Sequence, residues 1–298
     1  MGSHHSHDSQ DTVAASGAGL PEPATRAGRD GLAALLARPE RAVIALDFDG
    51  TLAPIVPDPD QARAHPEAVP ALAALAPRVA SVAVVTGRPP GVAVRNGGLA
   101  GVPGLDHLVV LGHYGAERWD AATGTVTAPP EHPGVAAVRT ELPGVLDRAG
   151  AGEGIWIEEK GRSLAVHTRR AADPQAAFEQ LREPLARLAA GHGLIVEPGR
   201  MVLELRPPGM DKGVALLDHV RALGEDTGGV SAVLYAGDDL GDLPAFAALD
   251  RLRADGVPGL AVCSGSTEVT ELSQRADLVV DGPAGVVALL RSLADRIR

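Results

Sequence analysis

An α/β fold built on a doubly wound parallel sheet, interrupted by an inserted α+β domain, is predicted by two features of the sequence. Short apolar runs without polar alternation, Val43–Leu46, Ser81–Val85 and Leu108–Leu111, recur between helical patterns. Strands of that kind are buried on both faces, and their alternation with helices implies parallel pairing. In the middle of the chain the runs 155–160 (IWIEEK) and 163–169 (SLAVHTR) instead alternate apolar with polar around Gly161-Arg162, as a half-exposed antiparallel hairpin does.

In chain order, residues 1–29 are rich in Gly, Ser, Ala, Pro and His without apolar periodicity and read as a disordered arm; its His4, His5 and His7 belong to that tail. Order is expected from Asp30, which can cap a short helix through Leu32, Leu35 and Leu36. The run from Ala42 ends at Asp47, a Pro-interrupted loop reaches Asp60, and a helix follows through Val69, Leu72 and Leu75. After the second and third strands comes the segment 112–117. The insert is placed at 118–202: the hairpin, a helix from Pro174 with Phe178, Leu181, Leu185 and Leu188 on one face, and strands at 193–196 and 201–205 around a Pro198-Gly199 turn. A core domain is thus expected from 30–117 and 203–298. Its second half reads as a helix from Lys212, a strand at 233–236, a helix through Phe246 and Leu249, strands at 260–263 and 278–280, and a last helix from Pro283.

Length, charge and composition narrow the function. The 298 residues allow two domains of ordinary size. A net charge of −11 and an aromatic content of 2% argue against nucleic-acid and anionic-membrane surfaces. A single cysteine, Cys263, excludes an internal disulfide and fits a reducing cytoplasm. No apolar stretch is long enough to span a bilayer, and the start of the chain lacks the regions of a signal peptide.

Chemistry gathers at the strand ends. In DFDGT, Asp47 and Asp49 lie two apart and share one face at the carboxyl edge, where open α/β sheets bind ligands. Paired carboxylates are tolerated where a divalent cation neutralises them or where one stays protonated for acid work; a strand ending in a polar turn is the plainer alternative. The second strand ends in Thr86-Gly87-Arg88, a hydroxyl, backbone amides and a guanidinium suited to an anion with several oxygens, or equally a helix cap beside a surface arginine. Lys212 stands at a helix start, against the dipole, which suggests an anionic partner, an ordinary exposed lysine being the plainer alternative. Asp238, Asp239 and Asp242 crowd one loop after a strand and suit magnesium; a solvated acidic turn is the plainer alternative, which the position at a strand end weakens.

As an ordered set, Asp47/Asp49, Thr86, Lys212 and Asp238/Asp239/Asp242 resemble the haloacid dehalogenase superfamily of phosphohydrolases over the whole ordered chain. The resemblance implies a Rossmann-like core with an inserted cap. It also implies Asp47 as nucleophile, Asp49 as general acid and then base, and Thr86 and Lys212 on the phosphoryl oxygens. Mg2+ would lie between Asp47, the Asp49 carbonyl and Asp238, with Asp239 a ligand or outer support and Asp242 behind them. A phospho-accepting signalling domain shares the acidic pocket, Thr and Lys, but needs neither a cap nor a carboxylate at Asp49. A non-catalytic sugar-phosphate binding protein is the other alternative.

The leaving group should be chosen by the insert. On it, Glu158 and Lys160 share a strand face and His167 lies on the partner strand, either a sugar clamp or an exposed ion pair. The ordered motifs DFDGTLAPI, VVTGRP, GHYGAE, IEEKGRSLAVHTR, LELRP with DKG, and GDDLGD are similar to those of bacterial trehalose-6-phosphate phosphatases. That similarity implies sugar contacts from Glu158 and Lys160, puts His113, Tyr114 and Glu117 near the hinge and substrate entrance, and puts Arg88 near the phosphate or sugar. One departure stands in the acidic loop, commonly G-D-D-x-T-D-E in that family: here Gly241 takes the Thr place and Leu243-Pro244 follow Asp242. The expectation is a monomeric, cytoplasmic, Mg2+-dependent phosphatase of a small sugar phosphate, trehalose 6-phosphate first, sucrose 6-phosphate or a glycosyl phosphoglycerate next.

Overall fold

The structure is a computed structural model that describes residues 19–265 and 270–297. Residues 1–18 of the expected arm lie outside the described residues. Beyond them the chain is built in: helix α1 runs over Arg26–Ala37, and Leu20 packs against the core. The cap of α1 is Thr25, whose side-chain oxygen accepts the Gly28 N–H at 2.9 Å, so the helix starts earlier than Asp30 would have it.

The parallel part follows as β1 (Ala42–Leu46), α2 (Ala68–Leu75), β2 (Ser81–Val85), α3 (Pro90–Gly97) and β3 (Leu108–Gly112). Two short strands follow, β4 (Glu117–Asp120) pairing antiparallel with β3 and β5 (Thr125–Thr127) antiparallel with β4. The insert holds α4 (Pro133–Arg148), β6 (Trp156–Glu159), β7 (Leu164–His167), α5 (Pro174–Gly191), β8 (Ile195–Gly199) and β9 (Val202–Arg206). The chain returns through α6 (Lys212–Thr227), β10 (Ala232–Gly237), α7 (Leu243–Ala254), β11 (Gly259–Gly265), α8 (Thr270–Arg275), β12 (Leu278–Asp281) and α9 (Gly282–Arg296).

Eight strands form the large sheet in the order β12-β11-β10-β1-β2-β3-β4-β5, parallel from β12 to β3. Alternate side chains of β1 feed two apolar layers. Ala42, Ile44 and Leu46 pack with α2, α3 and α9, and Val43 and Ala45 with α6 and α7. With both faces covered, β1, β2, β3 and β10 are wholly buried. The second sheet, β6-β7-β9-β8, is antiparallel and covers one face with α4 and α5. Ile157, Val166, Leu203, Leu205 and Val196 point into that apolar layer.

Three expectations are corrected in detail. Residues 118–127 pair with the large sheet rather than the insert, and the small sheet extends to Arg206, past 202. The turn between β8 and β9 falls at Arg200-Met201, with Met201 at φ 57°, while Pro198 and Gly199 remain in the strand. Helix α4 had no periodic signal strong enough to announce it, and it holds Pro143 within its span. Among the described residues no helix is long and apolar enough to cross a membrane.

Candidate active site

The strand order brings the chemical groups together. Since β1 lies between β2 and β10, the loops leaving these three strands open at one edge, where the connections diverge to opposite sides. Leu46 is in register with Ala236 and with Val84, so the residues that follow, Asp47, Asp238 and Thr86, come together at that edge. The Asp47 N–H extends the ladder by donating to the Ala236 carbonyl at 2.8 Å.

Gly50 makes the close approach of two of these loops possible. Its φ is 71°, and a Cβ there would lie 2.0 Å from Asp238 Oδ2. From β11, the Ser264 hydroxyl donates to the Gly50 carbonyl at 2.6 Å and ties the same turn to the sheet.

Lys212 joins the carboxylates. Asp211 caps α6 and accepts the Val214 N–H, which sets Lys212 as the first helical residue. Its Nζ lies 2.9 Å from Asp47 Oδ1 and 2.7 Å from Asp242 Oδ1. Asp242 is fully buried: Oδ1 also accepts the Tyr235 hydroxyl at 2.6 Å, and Oδ2 accepts the N–H groups of Asp238 and Asp239 at 2.9 and 3.2 Å. Asp239 turns to its own loop, accepting the Gly241 N–H.

Asp47, Asp238 and Asp242 each offer an oxygen within 4.8 Å of the others. That set contains Asp242 where Asp239 was expected. Every donor around Asp242 is already a protein group, so its chemistry is that of a support which holds Lys212 and the loop. Burial pushes the Asp238 carboxyl up to about 8, with Asp239 and Asp242 adding to it. Burial likewise drives Asp47 well above the carboxylate range against the pull of Lys212, while the neighbouring aspartates push the same way as burial. One ammonium does not balance these groups once all are ionised, so they hold protons instead, and a hard divalent cation is the charge that would fit in their place.

Asp49 stands apart from this cluster. Arg88 holds both its oxygens, Nε to Oδ2 at 2.6 Å and Nη2 to Oδ1 at 2.7 Å. Thr86 is buried, and its hydroxyl accepts the Arg88 N–H at 3.2 Å.

On the small sheet, the face opposite α4 and α5 is polar. Glu158 pairs with His167 Nε2 at 2.8 Å, and that bond, with the Lys160 charge adding, keeps its carboxyl below the ordinary range against the effect of burial. The His167 ring stacks on Trp156 with centroids 4.5 Å apart. Lys160 pairs not with Glu158 but with Glu204 of β9, at 3.1 Å. Burial works against Glu204's charge, yet Lys160, the Ser163 hydroxyl at 2.6 Å and Arg206 hold its carboxyl below the usual value.

Sequence reasoning missed Glu204, Arg206 and Tyr235. The register Ala165↔Glu204 puts Glu204 on the face of Glu158, a relation visible only once strand pairing is known. The segment 112–117 joins the two sheets. Buried His113 lies 3.8 Å from Glu117, burial lowering its imidazole's proton affinity, and Glu117 accepts from Arg162 of the insert at 2.8 Å.

A doubly wound core with a carboxylate-rich strand-end site, facing an inserted antiparallel sheet, is the architecture of haloacid dehalogenase-like hydrolases. One such solved structure, from Bacteroides thetaiotaomicron, superposes with a TM-score of 0.57 at 16% identity, covering 84% of this chain and 98% of that one. The Aspergillus fumigatus trehalose-6-phosphate phosphatase structure gives a TM-score of 0.64 at 24% identity, covering 92% and 99%.

The chain belongs to the trehalose-phosphatase family, whose profile matches residues 45–282. It is 33% identical over 278 residues to the trehalose-phosphate phosphatase of Mycobacterium avium, a match covering 91% of this chain and 65% of that protein. A probable trehalose-phosphate phosphatase of Sinorhizobium fredii is 31% identical over 226 residues, covering 76% and 80%. The chain thus spans about two thirds of the Mycobacterium avium relative's length.

Proposed function

We propose that this chain hydrolyses trehalose 6-phosphate to trehalose and phosphate, with Mg2+ as cofactor. The observation that carries the chemistry is the buried Lys212 ammonium, shared between Asp47 and Asp242 at the carboxyl edge of β1 and β10. The family and the names of its relatives support the substrate.

An Asp47 oxygen attacks phosphorus and the bond from phosphorus to the sugar oxygen breaks, leaving an aspartyl phosphate. Asp49 gives its proton to the departing sugar oxygen. Water then attacks the aspartyl phosphate, Asp49 takes a proton from it, and phosphate leaves with Asp47 restored. Since Arg88 holds both oxygens of Asp49, substrate must draw Arg88 away for that carboxyl to serve. Thr86 and Lys212 hold the phosphoryl oxygens. Asp47 and Asp238, with the Asp49 carbonyl, would hold Mg2+, which when bound offsets charge on the phosphoryl group. Glu158, Lys160, His167 and Glu204 present acceptors and donors to the sugar hydroxyls. Cys263, buried and free, agrees with action in the cytoplasm, and a monomer suffices for this arrangement.

Phosphate release from trehalose 6-phosphate, with and without Mg2+, beside sucrose 6-phosphate, glucose 6-phosphate and p-nitrophenyl phosphate, tests the reading. Strong preference for the first is expected. Preference for another sugar ester would replace the substrate, and no release from any would return the chain to binding or signalling.

A further inference from the structure

Three consecutive residues, His113, Tyr114 and Gly115, have φ values of 48°, 57° and 92°. For the two that carry side chains this is strained backbone, which persists only where surroundings hold it. The surroundings are the two halves of the site. The Tyr114 N–H donates to the Thr86 carbonyl at 2.9 Å, and the His113 N–H to the Arg88 carbonyl at 3.0 Å. A Cβ on Gly87 would meet the Tyr114 ring at 2.8 Å, so the ring lies against the Thr86-Gly87-Arg88 loop itself. A Cβ on Gly115 would lie 2.5 Å from that of Ala215, which seats the segment on the helix led by Lys212. From the same side chain, the hydroxyl donates to Glu204 Oε2 at 3.3 Å, the oxygen that also takes Lys160, and the Arg206 guanidinium covers the ring at 4.6 Å. Burial, with Glu204 adding, pushes the phenol up to about 12, so it remains a donor.

We propose that Tyr114 is a positioning residue that couples the cap's sugar-facing groups to the phosphate loop. This rests on the reading of the strand-end site as a sugar-phosphate hydrolase. When sugar hydroxyls engage Lys160 and Glu204, the hydrogen bond from Tyr114 to the shared Glu204 oxygen changes. The ring and the strained backbone then carry that change to the carbonyls of Thr86 and Arg88. An ester without a sugar leaves the loop unprompted, so discrimination arises partly between the two sheets.

The test uses the full chain and Tyr114→Phe, which keeps the ring and removes the hydroxyl. The ratio of kcat/KM for trehalose 6-phosphate to that for p-nitrophenyl phosphate is expected to fall about tenfold, chiefly through kcat. Equal losses on both esters, or no change on either, overturn the proposal. In a second measurement, amide hydrogen exchange is followed with saturating trehalose and no phosphate. Exchange at the Tyr114 and Arg88 amides should slow severalfold in the parent chain and not in Tyr114→Phe, with trehalose still bound. Trehalose binding without slowing in the parent chain also overturns it. If the parent chain prefers another sugar phosphate, the substrate assignment falls, while the coupling is read with that ester and its sugar. Turnover of the aryl ester alone ends both.

Discussion

Acid should loosen the core at one identifiable histidine. His219 is buried on α6, with Nε2 3.0 Å from the Ser81 hydroxyl on β2 and Nδ1 3.2 Å from Arg118 Nη1 on β4. Burial, with the Arg118 charge adding, pushes its imidazole down to about 4 from an ordinary 6.5. The folded protein therefore resists a proton that the unfolded chain accepts. Stability from this group is complete above pH 6.5 and is lost as pH falls toward 4, the full gap being worth about 3 kcal/mol. At pH 4.5 about 2.5 kcal/mol of it has gone.

His219→Gln removes the titration and keeps a side chain able to hydrogen-bond. Urea unfolding of both chains at pH 7.5 and pH 4.5 should show the variant about 1–2 kcal/mol less stable at the higher pH, through weakened contacts to Ser81 and Arg118. At the lower pH its deficit should shrink by about 2.5 kcal/mol, to parity or better. A deficit equal at both pH values would refute the neutral, desolvated imidazole. Comparing the two chains at each pH cancels the carboxylates that titrate in both.

Three further outcomes are expected. Asp47→Asn should lower turnover by about 10³-fold or more while the far-ultraviolet circular dichroism spectrum and cooperative unfolding are kept, because it removes the proposed nucleophile and one carboxylate of a repelling group. Lys160→Ala should lower kcat/KM for trehalose 6-phosphate about 10- to 100-fold more than for p-nitrophenyl phosphate, the loss of a charged hydrogen bond being worth roughly 1.5–3 kcal/mol. A smaller difference on parallel kinetics would remove Lys160 from the sugar site. Gly50→Ala should cost about 2 kcal/mol or more in thermal or urea unfolding, since a left-handed φ and a Cβ 2.0 Å from Asp238 Oδ2 both oppose it, and Mg2+ should stabilise that variant less than the parent chain.

The sheet was legible because its strands are continuous apolar runs, and the strand-end groups were legible because each follows such a run directly. Asp47, Thr86 and Asp238 needed only the rule that parallel strands open their ligand sites at one edge. What stayed hidden depends on pairing. Nothing local marks Glu204 as Lys160's partner; it reads as the polar member of an alternating strand until β9 is set beside β7. Nor does the sequence say that Arg88 occupies Asp49, since the two are 39 residues apart and meet through adjacent loops. Residues 118–127 fall in the stretch expected to belong to the insert, yet β4 pairs with β3 and β5 with β4, so both extend the large sheet. The acidic loop, despite Gly241 where a threonine is usual, closes through a reciprocal cap between Asp239 and Asp242. It therefore holds without that hydroxyl.

The small sheet has an apolar side closed by α4 and α5 and a polar side left to the site. Along each strand, neighbouring residues therefore answer to different constraints. Ile157, Val166, Leu203 and Leu205 secure the fold, while Trp156, Glu158, His167 and Glu204 interleave with them and face outward. Every second position can therefore change without disturbing the interior. Because that interior is separate from the two layers flanking β1, such changes also leave the strand-end site in place. On the proposed function, the insert is an exchangeable reading head, and one core is refitted to new esters by editing a single face.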